Sequence, residues 1–178
     1  MTARELKDIL ESCRKFDRKS QAALYRAFYG YGTTLAFHYV NDPEQAKAIY
    51  NDAMMKVFGS LNNFRGEAEF QTWLHRIVIN AAIDYHRRYF KYVTEAESEL
   101  QNVVYNAQDI ENQLFEQDIL LLVQTLAPSY RTVFLLNVME GFTFKEIAEK
   151  LGISEGGAKS LCNSAKMKLR VLLTTYLS

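Results

Sequence analysis

The stretch from Gly141 to Arg170, GFTFKEIAEKLGISEGGAKSLCNSAKMKLR, constrains the fold more than any other, because it carries start and stop signals for two helices. Thr143 can cap the first helix, Glu146 can complete a capping box with it, and Phe142 can staple onto Ile147. Gly152, after Leu151, tolerates the left-handed conformation that ends a helix, and Ser154 can cap the second. The segment therefore reads as a helix-turn-helix. In its second helix Ala158, Leu161 or Cys162, Ala165, Leu169 and Leu172 form the packing stripe. Lys159, Asn163, Lys166 and Arg170 form what reads as the opposite stripe. Lysine and arginine neutralise phosphate or read guanine, and asparagine can pair with adenine, so with Ser154 and Ser160 this helix is a candidate for duplex DNA. For a lone helix a solvated face is the better explanation; the capped partner helix and tight turn reverse that preference toward DNA.

The remainder is helical too. Only two Pro and eight Gly interrupt a chain of 178 residues, and 48% hydrophobic residues suffice for a core in one domain or two small ones. Helical periodicity dominates, so the expected class is all-α. The opening MTARELKDIL lacks a signal-peptide core and no apolar run reaches a membrane span, so a cytoplasmic protein without membrane insertion is expected. Cys13 and Cys162 lack metal-site spacing and read as reduced structural thiols. His38, His75 and His86 show neither ligand spacing nor a nucleophile to serve, so no metal, cofactor or enzyme activity is implied.

Net charge is zero, but it is segregated along the chain. Arg76, Arg87, Arg88 and Lys91 face Asp84 alone, whereas from Val93 to Ala127 there are only acidic charges, among them Glu95, Glu97, Glu99 and Asp109. The last third is basic again. This order suggests two anion-binding bodies, at 1–92 and 109–178, joined by an acidic linker at 93–108 that DNA would repel.

Taken in order, a short amphipathic helix at 4–14 precedes a longer one from about Ser20 to Tyr39, in which Leu24, Phe28, Tyr31 and Leu35 share a core face. Asp42-Pro43 opens the next, burying Ala46, Ile49, Ala53 and Val57 and leaving Lys47, Asn51, Asp52, Met55 and Lys56 outside. Ser60 to Glu69 is turn chemistry: either a plain connector, or a loop whose Asn62, Asn63, Phe64 and Arg65 grip an unstacked base. The helix from Phe70 to about Tyr89 packs through Leu74, Ile77, Val78 and Ala81. Its other face carries Trp73, Arg76, Asn80, Asp84 and Arg87, with Arg88 beyond; Trp73 either joins that surface or is buried at the helix start. Helix resumes near Asp109, with Leu114, Ile119, Leu122, Val123 and Leu126 apolar. Ala127-Pro128 breaks it, and Ser129 to Glu140 begins another.

Two of these stretches, WLHRIVINAAIDYHRR (Trp73 to Arg88) and LAPSYRTVFLLNVMEGFTFKEIAEKLGISEGGAKS (Leu126 to Ser160), resemble the region-2 and region-4 signatures of extracytoplasmic-function sigma factors. The resemblance implies a region-2 helical bundle and a region-4 helix-turn-helix. It implies RNA polymerase core and promoter DNA as partners, and admits an anti-sigma factor as a further one. Carried over by position, Asn51, Asp52 and Met55 would meet the polymerase. Asn62, Asn63, Phe64, Arg65 and Asn80 would hold a flipped minus-ten base, with Arg76, Arg87 and Arg88 along the DNA. Ser154, Lys159, Ser160, Asn163 and Lys166 would read the minus-thirty-five element. Lys47, Ala48 and Asn51 depart from the acidic residues and glutamine usual on the polymerase-binding helix, and Leu161 and Ser164 from polar or basic side chains usual on the recognition helix. Gly156-Gly157 places two poor helix formers in a first turn, which suggests a bare backbone approaching a phosphate. The alternatives are a helix-turn-helix regulator of duplex DNA, or a degenerate sigma-like protein, neither of which initiates transcription.

Overall fold

The computed structural model describes residues 1–93 and 116–176. The elements are α1 (Ala3–Arg14), α2 (Arg18–Val40), α3 (Pro43–Ser60), a 3-10 turn (Leu61–Asn63), α4 (Phe70–Val93), α5 (Glu116–Gln124), α6 (Pro128–Phe134) continuing into a π-helical turn (Leu135–Met139), α7 (Phe144–Leu151) and α8 (Glu155–Tyr176). The chain is all-α, with no strand among the described residues. It divides into two compact units, Met1–Ala82 and Ile83–Ser178, the division falling inside α4. Most of the expected acidic linker (94–108), the helix start near Asp109 and Leu114 lie outside the described residues.

In the first unit, α1 begins with a reciprocal capping box between Thr2 and Glu5. Asp42 caps α3, accepting from the Glu44 and Gln45 N–H groups, with Pro43 at the first helical position. The expected stripe Ala46, Ile49, Ala53, Val57 is buried, and Tyr50 and Met54 join it. Side chains such as Ile49, Val57, Leu61 and Leu74, all 1% exposed or less, each contribute about 1.5–3 kcal/mol.

On α2 the expected core face needs correction: Tyr31 and Leu35 are only half-buried, while the buried line is Leu24, Phe28, Gly32, Ala36 and Tyr39. The cause is Tyr50. Its ring lies where a side chain at position 32 would stand, so Gly32 and Ala36 let α3 approach closely and the helix turns its small residues, not Tyr31 and Leu35, inward. The Tyr50 hydroxyl donates to the Tyr25 carbonyl at 2.8 Å. Burial, with Tyr25 and Tyr29 adding to it, pushes the Tyr50 phenol well above its ordinary value. Phe28 packs on Phe70, and Tyr31 bonds His75 at 2.8 Å, linking α2 to α4. On α4, Leu74, Val78 and Ala81 are buried as expected and Ile77 is half-buried, with Ile79 and Ala82 also buried; Ile83 and His86, beyond the division, are buried as well.

In the second unit, α5 ends on Arg131, whose guanidinium Nη2 donates to the Gln124 and Leu126 carbonyls at 3.0 and 2.8 Å. Arg131 is 5% exposed, so it serves as an internal cap for the last carbonyl of α5 and for that of Leu126 in the turn after it. Helix α6 starts at Pro128, one residue before the expected Ser129, and widens into a π turn in which the Glu140 N–H reaches the Leu135 carbonyl. Asn137, from that turn, donates to the Phe142 carbonyl at 2.9 Å and accepts from the Cys162 thiol at 3.6 Å. One amide thus fixes both the approach to α7 and the register of α8.

Candidate nucleic-acid interface

The loop after α3 is a built structure and not a plain connector. Leu61 is buried beneath the 3-10 turn, and the Phe64 N–H closes it on the Leu61 carbonyl at 3.2 Å. Arg14 reaches across from α1 to the Leu61 and Phe64 carbonyls, at 3.4 and 2.9 Å. Gly66, at φ 75°, then turns the chain back toward α4. The result is a cleft of about 470 Å³ lined by Asn62, Asn63, Phe64, Arg65, Gly66, Glu67, Ala68, Trp73 and Arg76, within the range of small-ligand pockets. Its wall is aromatic: the Phe64 ring lies 5.1 Å from Trp73 and 5.6 Å from Phe70. Trp73 is half-buried in this cluster, which combines the two positions open to it from sequence. Exposed amides at Asn62 and Asn63, and two arginines against the single carboxylate of Glu67, complete the lining. Aromatic faces at Phe64 and Trp73, tilted 39° to each other, with amide donors and acceptors and net positive charge, suit a nucleobase with its phosphate.

Asn80, in the first unit, and Arg87 and Arg88, in the second, occupy exposed positions of α4 outside the cleft lining. Arg87 pairs with Asp84 at 3.1 Å, a surface interaction of little energetic weight that still aims the guanidinium along the helix. The side chain of Lys91 lies outside the described residues. On α3, Asn51, Asp52 and Met55 are all exposed, Met55 at 72%. The Tyr25 hydroxyl donates to Asn51 Oδ1 at 2.8 Å, which leaves the amide NH₂ outward as a donor.

The helix-turn-helix follows its sequence signals closely. Thr143 and Glu146 form the capping box, and their hydrogen bonds hold the Glu146 carboxyl below the usual range. Gly152 ends α7 at φ 74°, with its own N–H and that of Ile153 on the Ala148 carbonyl. Ser154 Oγ accepts from the Gly157 N–H at 3.0 Å. Ser154, Lys159, Ser160, Asn163 and Lys166 are all exposed. Of the two packing options, Cys162 is buried and Leu161 half-buried.

Two expectations change. The basic stripe flanks the buried stripe instead of opposing it, because residues advance about 100° each around the helix; Lys166 and Arg170 line an apolar cleft of about 620 Å³ with Ile119, Leu122, Phe134 and Leu169. The outermost line is Ser160, Met167 and Val171, the last two 64% and 65% exposed. Gly157 also has a nearer reason than a phosphate: a Cβ there would stand 3.0 Å from Ser154 Oγ, crowding the cap, whereas Gly156 has open space.

Arg14, Arg131 and the Tyr25–Asn51 bond were not legible in the sequence, since none belongs to a periodic or capping pattern. Among the described residues no cluster of His, Cys, Asp or Glu can hold a metal, and no helix is long and apolar enough to cross a membrane.

The profile described as Sigma-70 region 2 matches residues 24–90, and that described as Sigma-70, region 4 matches residues 116–169. The RNA polymerase sigma factor SigZ of Bacillus subtilis is 31% identical over 145 residues, covering 79% of each chain. The chain belongs to the sigma-70 family, in its extracytoplasmic-function branch. The ECF RNA polymerase sigma factor SigM of Mycobacterium tuberculosis is 31% identical over 130 residues, covering 73% of this chain and 65% of that protein. The sigma factor YlaC of Bacillus subtilis is 26% identical over 166 residues, covering 88% and 94%. The aromatic cleft falls within the region-2 match, and the helix-turn-helix up to Leu169 within the region-4 match. Residues 1–23, including α1 and the turn after it, precede both.

Proposed function

We propose that this sigma factor directs RNA polymerase core to promoters, gripping a melted minus-ten base with region 2 and the minus-thirty-five duplex with region 4. The observation that carries the reading is the coexistence, on one chain, of a cleft suited to an unstacked base and a helix-turn-helix suited to duplex. Asn62, Asn63, Phe64, Arg65 and Asn80 hold the base, and Arg76, Arg87 and Arg88 follow the strand. Ser154, Lys159, Ser160, Asn163 and Lys166 enter the major groove. Asn51, Asp52 and Met55 meet the polymerase. The chain carries no catalysis of its own: melting is driven by the binding energy of the displaced base and strand. Residues 1–92 and 109–178 act as separate grips, tethered by the acidic 93–108 segment. The setting is the cytoplasm, where an anti-sigma factor is a further partner.

A second reading, a sigma-like protein that engages polymerase abnormally, draws on α3, where Lys47 and Ala48 stand exposed and Asn51 is tied to Tyr25. Transcription in vitro with purified core enzyme separates the two. Initiation at discrete start sites supports the sigma function; association without initiation supports the second reading; absence of association removes the first.

A further inference from the structure

The turn from α1 to α2 places an aromatic residue where helix ends normally place glycine. The Phe16 N–H bonds the Cys13 carbonyl and the Asp17 N–H bonds the Ser12 carbonyl, at 2.9 and 3.2 Å, a Schellman closure with Phe16 at its left-handed position. The equivalent positions after α2 and α7 are Asn41 and Gly152, residues that tolerate positive φ. Phe16 sits there at φ 61° with 76% of its surface exposed. A bulky residue in this conformation is strained, and its ring adds nothing to the core, so folding gives no reason for it.

Its surroundings supply one. Lys15, Arg18 and Lys19, its neighbours within three residues along the chain, are all exposed. The turn's one carboxylate, Asp17, is committed to capping α2, accepting from the Ser20 N–H at 2.7 Å. Arg14, two residues and at most about 7 Å of chain from Phe16, is bonded to the carbonyl of Phe64 in the cleft wall.

We propose that this turn binds single-stranded DNA, Phe16 stacking on a base and Lys15, Arg18 and Lys19 meeting its phosphates, as an extension of the strand held in the cleft. An exposed ring among cations is the pattern of a sequence-tolerant strand contact. The inference rests on the reading of the cleft, and both family profiles begin after residue 23.

The test is binding of a fluorescein-labelled oligo(dT) of about 12 nucleotides to the full chain, at about 50 mM salt and above. Phe16→Gly should weaken binding roughly 5- to 150-fold without lowering the urea midpoint, because glycine relieves the strained φ. Phe16→Trp should restore it to near wild type. Changing Lys15, Arg18 and Lys19 together to Gln should lower the salt slope by about two.

Failure of the wild-type chain to bind oligo(dT) overturns the proposal. So does a Phe16→Gly variant that binds DNA normally, including one that loses affinity only for polymerase core, which would mark a protein contact. Oligo(rU) binding tighter than oligo(dT) would also overturn it. Arg76→Gln separates the two claims. If it weakens binding and Phe16→Gly does not, the turn is excluded and the cleft stands. If only Phe16→Gly weakens it, the cleft reading fails while the turn remains a strand contact.

Discussion

Gly30 and Gly32 stand two residues apart in α2, and the structure assigns their replacement by alanine opposite signs. A Cβ at Gly30 meets nothing within 4 Å, whereas one at Gly32 would fall 2.3 Å from the Tyr50 ring. Relief of glycine's excess backbone entropy should stabilise either helix position by about 0.5–1 kcal/mol. For Gly30→Ala that gain stands alone. For Gly32→Ala the fully buried Tyr50 ring must move by more than half an ångström. Overpacking of this kind costs about 1–3 kcal/mol, and disturbing the Tyr50 to Tyr25 hydrogen bond adds about 1 kcal/mol. The net expectation is destabilisation by about 1–3 kcal/mol. Trp73 is the single tryptophan and belongs to the same unit, so urea unfolding followed by its fluorescence reports this unit alone. With slopes of about 1–3 kcal/mol/M, the two midpoints should separate visibly on either side of wild type. A Gly32→Ala protein as stable as wild type would refute the packing argument. It would also remove the reason given for Gly32 and Ala36, and not Tyr31 and Leu35, forming the fully buried line.

Lys166→Ala should weaken binding to a minus-thirty-five duplex and lower its salt slope by about one; an unchanged slope would leave Lys166 lining its apolar cleft and off the DNA. Arg131→Met removes the charged donor from two buried carbonyls and should destabilise the second unit by about 2–4 kcal/mol, read by circular dichroism; a loss below about 0.5 kcal/mol would show that the cap is dispensable. Acid should act in two steps. Burial lowers His38 below 6.5, so the stability it lends as a neutral group is lost as pH falls past that ordinary value. The capping carboxylates Glu5, Asp17 and Glu146 are all lowered by their hydrogen bonds, so their contribution holds above the ordinary carboxylate range and is lost as pH falls through their depressed values. In a urea-midpoint series across pH, His38→Gln should remove the upper step and Glu146→Gln reduce the lower; a profile flat below 6.5 would contradict the first assignment, and one flat below the ordinary carboxylate range the second.

What the sequence made legible were local signals. Thr143 with Glu146, Gly152, Ser154 and Asp42-Pro43 each act within four residues of themselves, and each does what its chemistry requires. What it concealed were contacts set by distant partners. Gly32 is small because of Tyr50, Arg14 serves the Leu61 and Phe64 carbonyls, and Arg131 turns back on α5. The candidate cleft was half legible: Asn62 to Arg65 stood out as turn chemistry, but the aromatic wall depends on Phe70 and Trp73 returning from the next helix. The α8 stripe misled because residues three and four apart track along a helix flank as readily as along its outer face.

The separation of two grips, one on melted strand and one on duplex, is tested most directly by Asn80→Ala. With polymerase core on a promoter, permanganate reactivity of unpaired thymines reports melting, and binding of a minus-thirty-five duplex reports the other grip. Loss of the Asn80 contact should reduce melting roughly 5- to 150-fold and leave duplex affinity unchanged. Equal losses in both assays, or no loss of melting, would contradict the account.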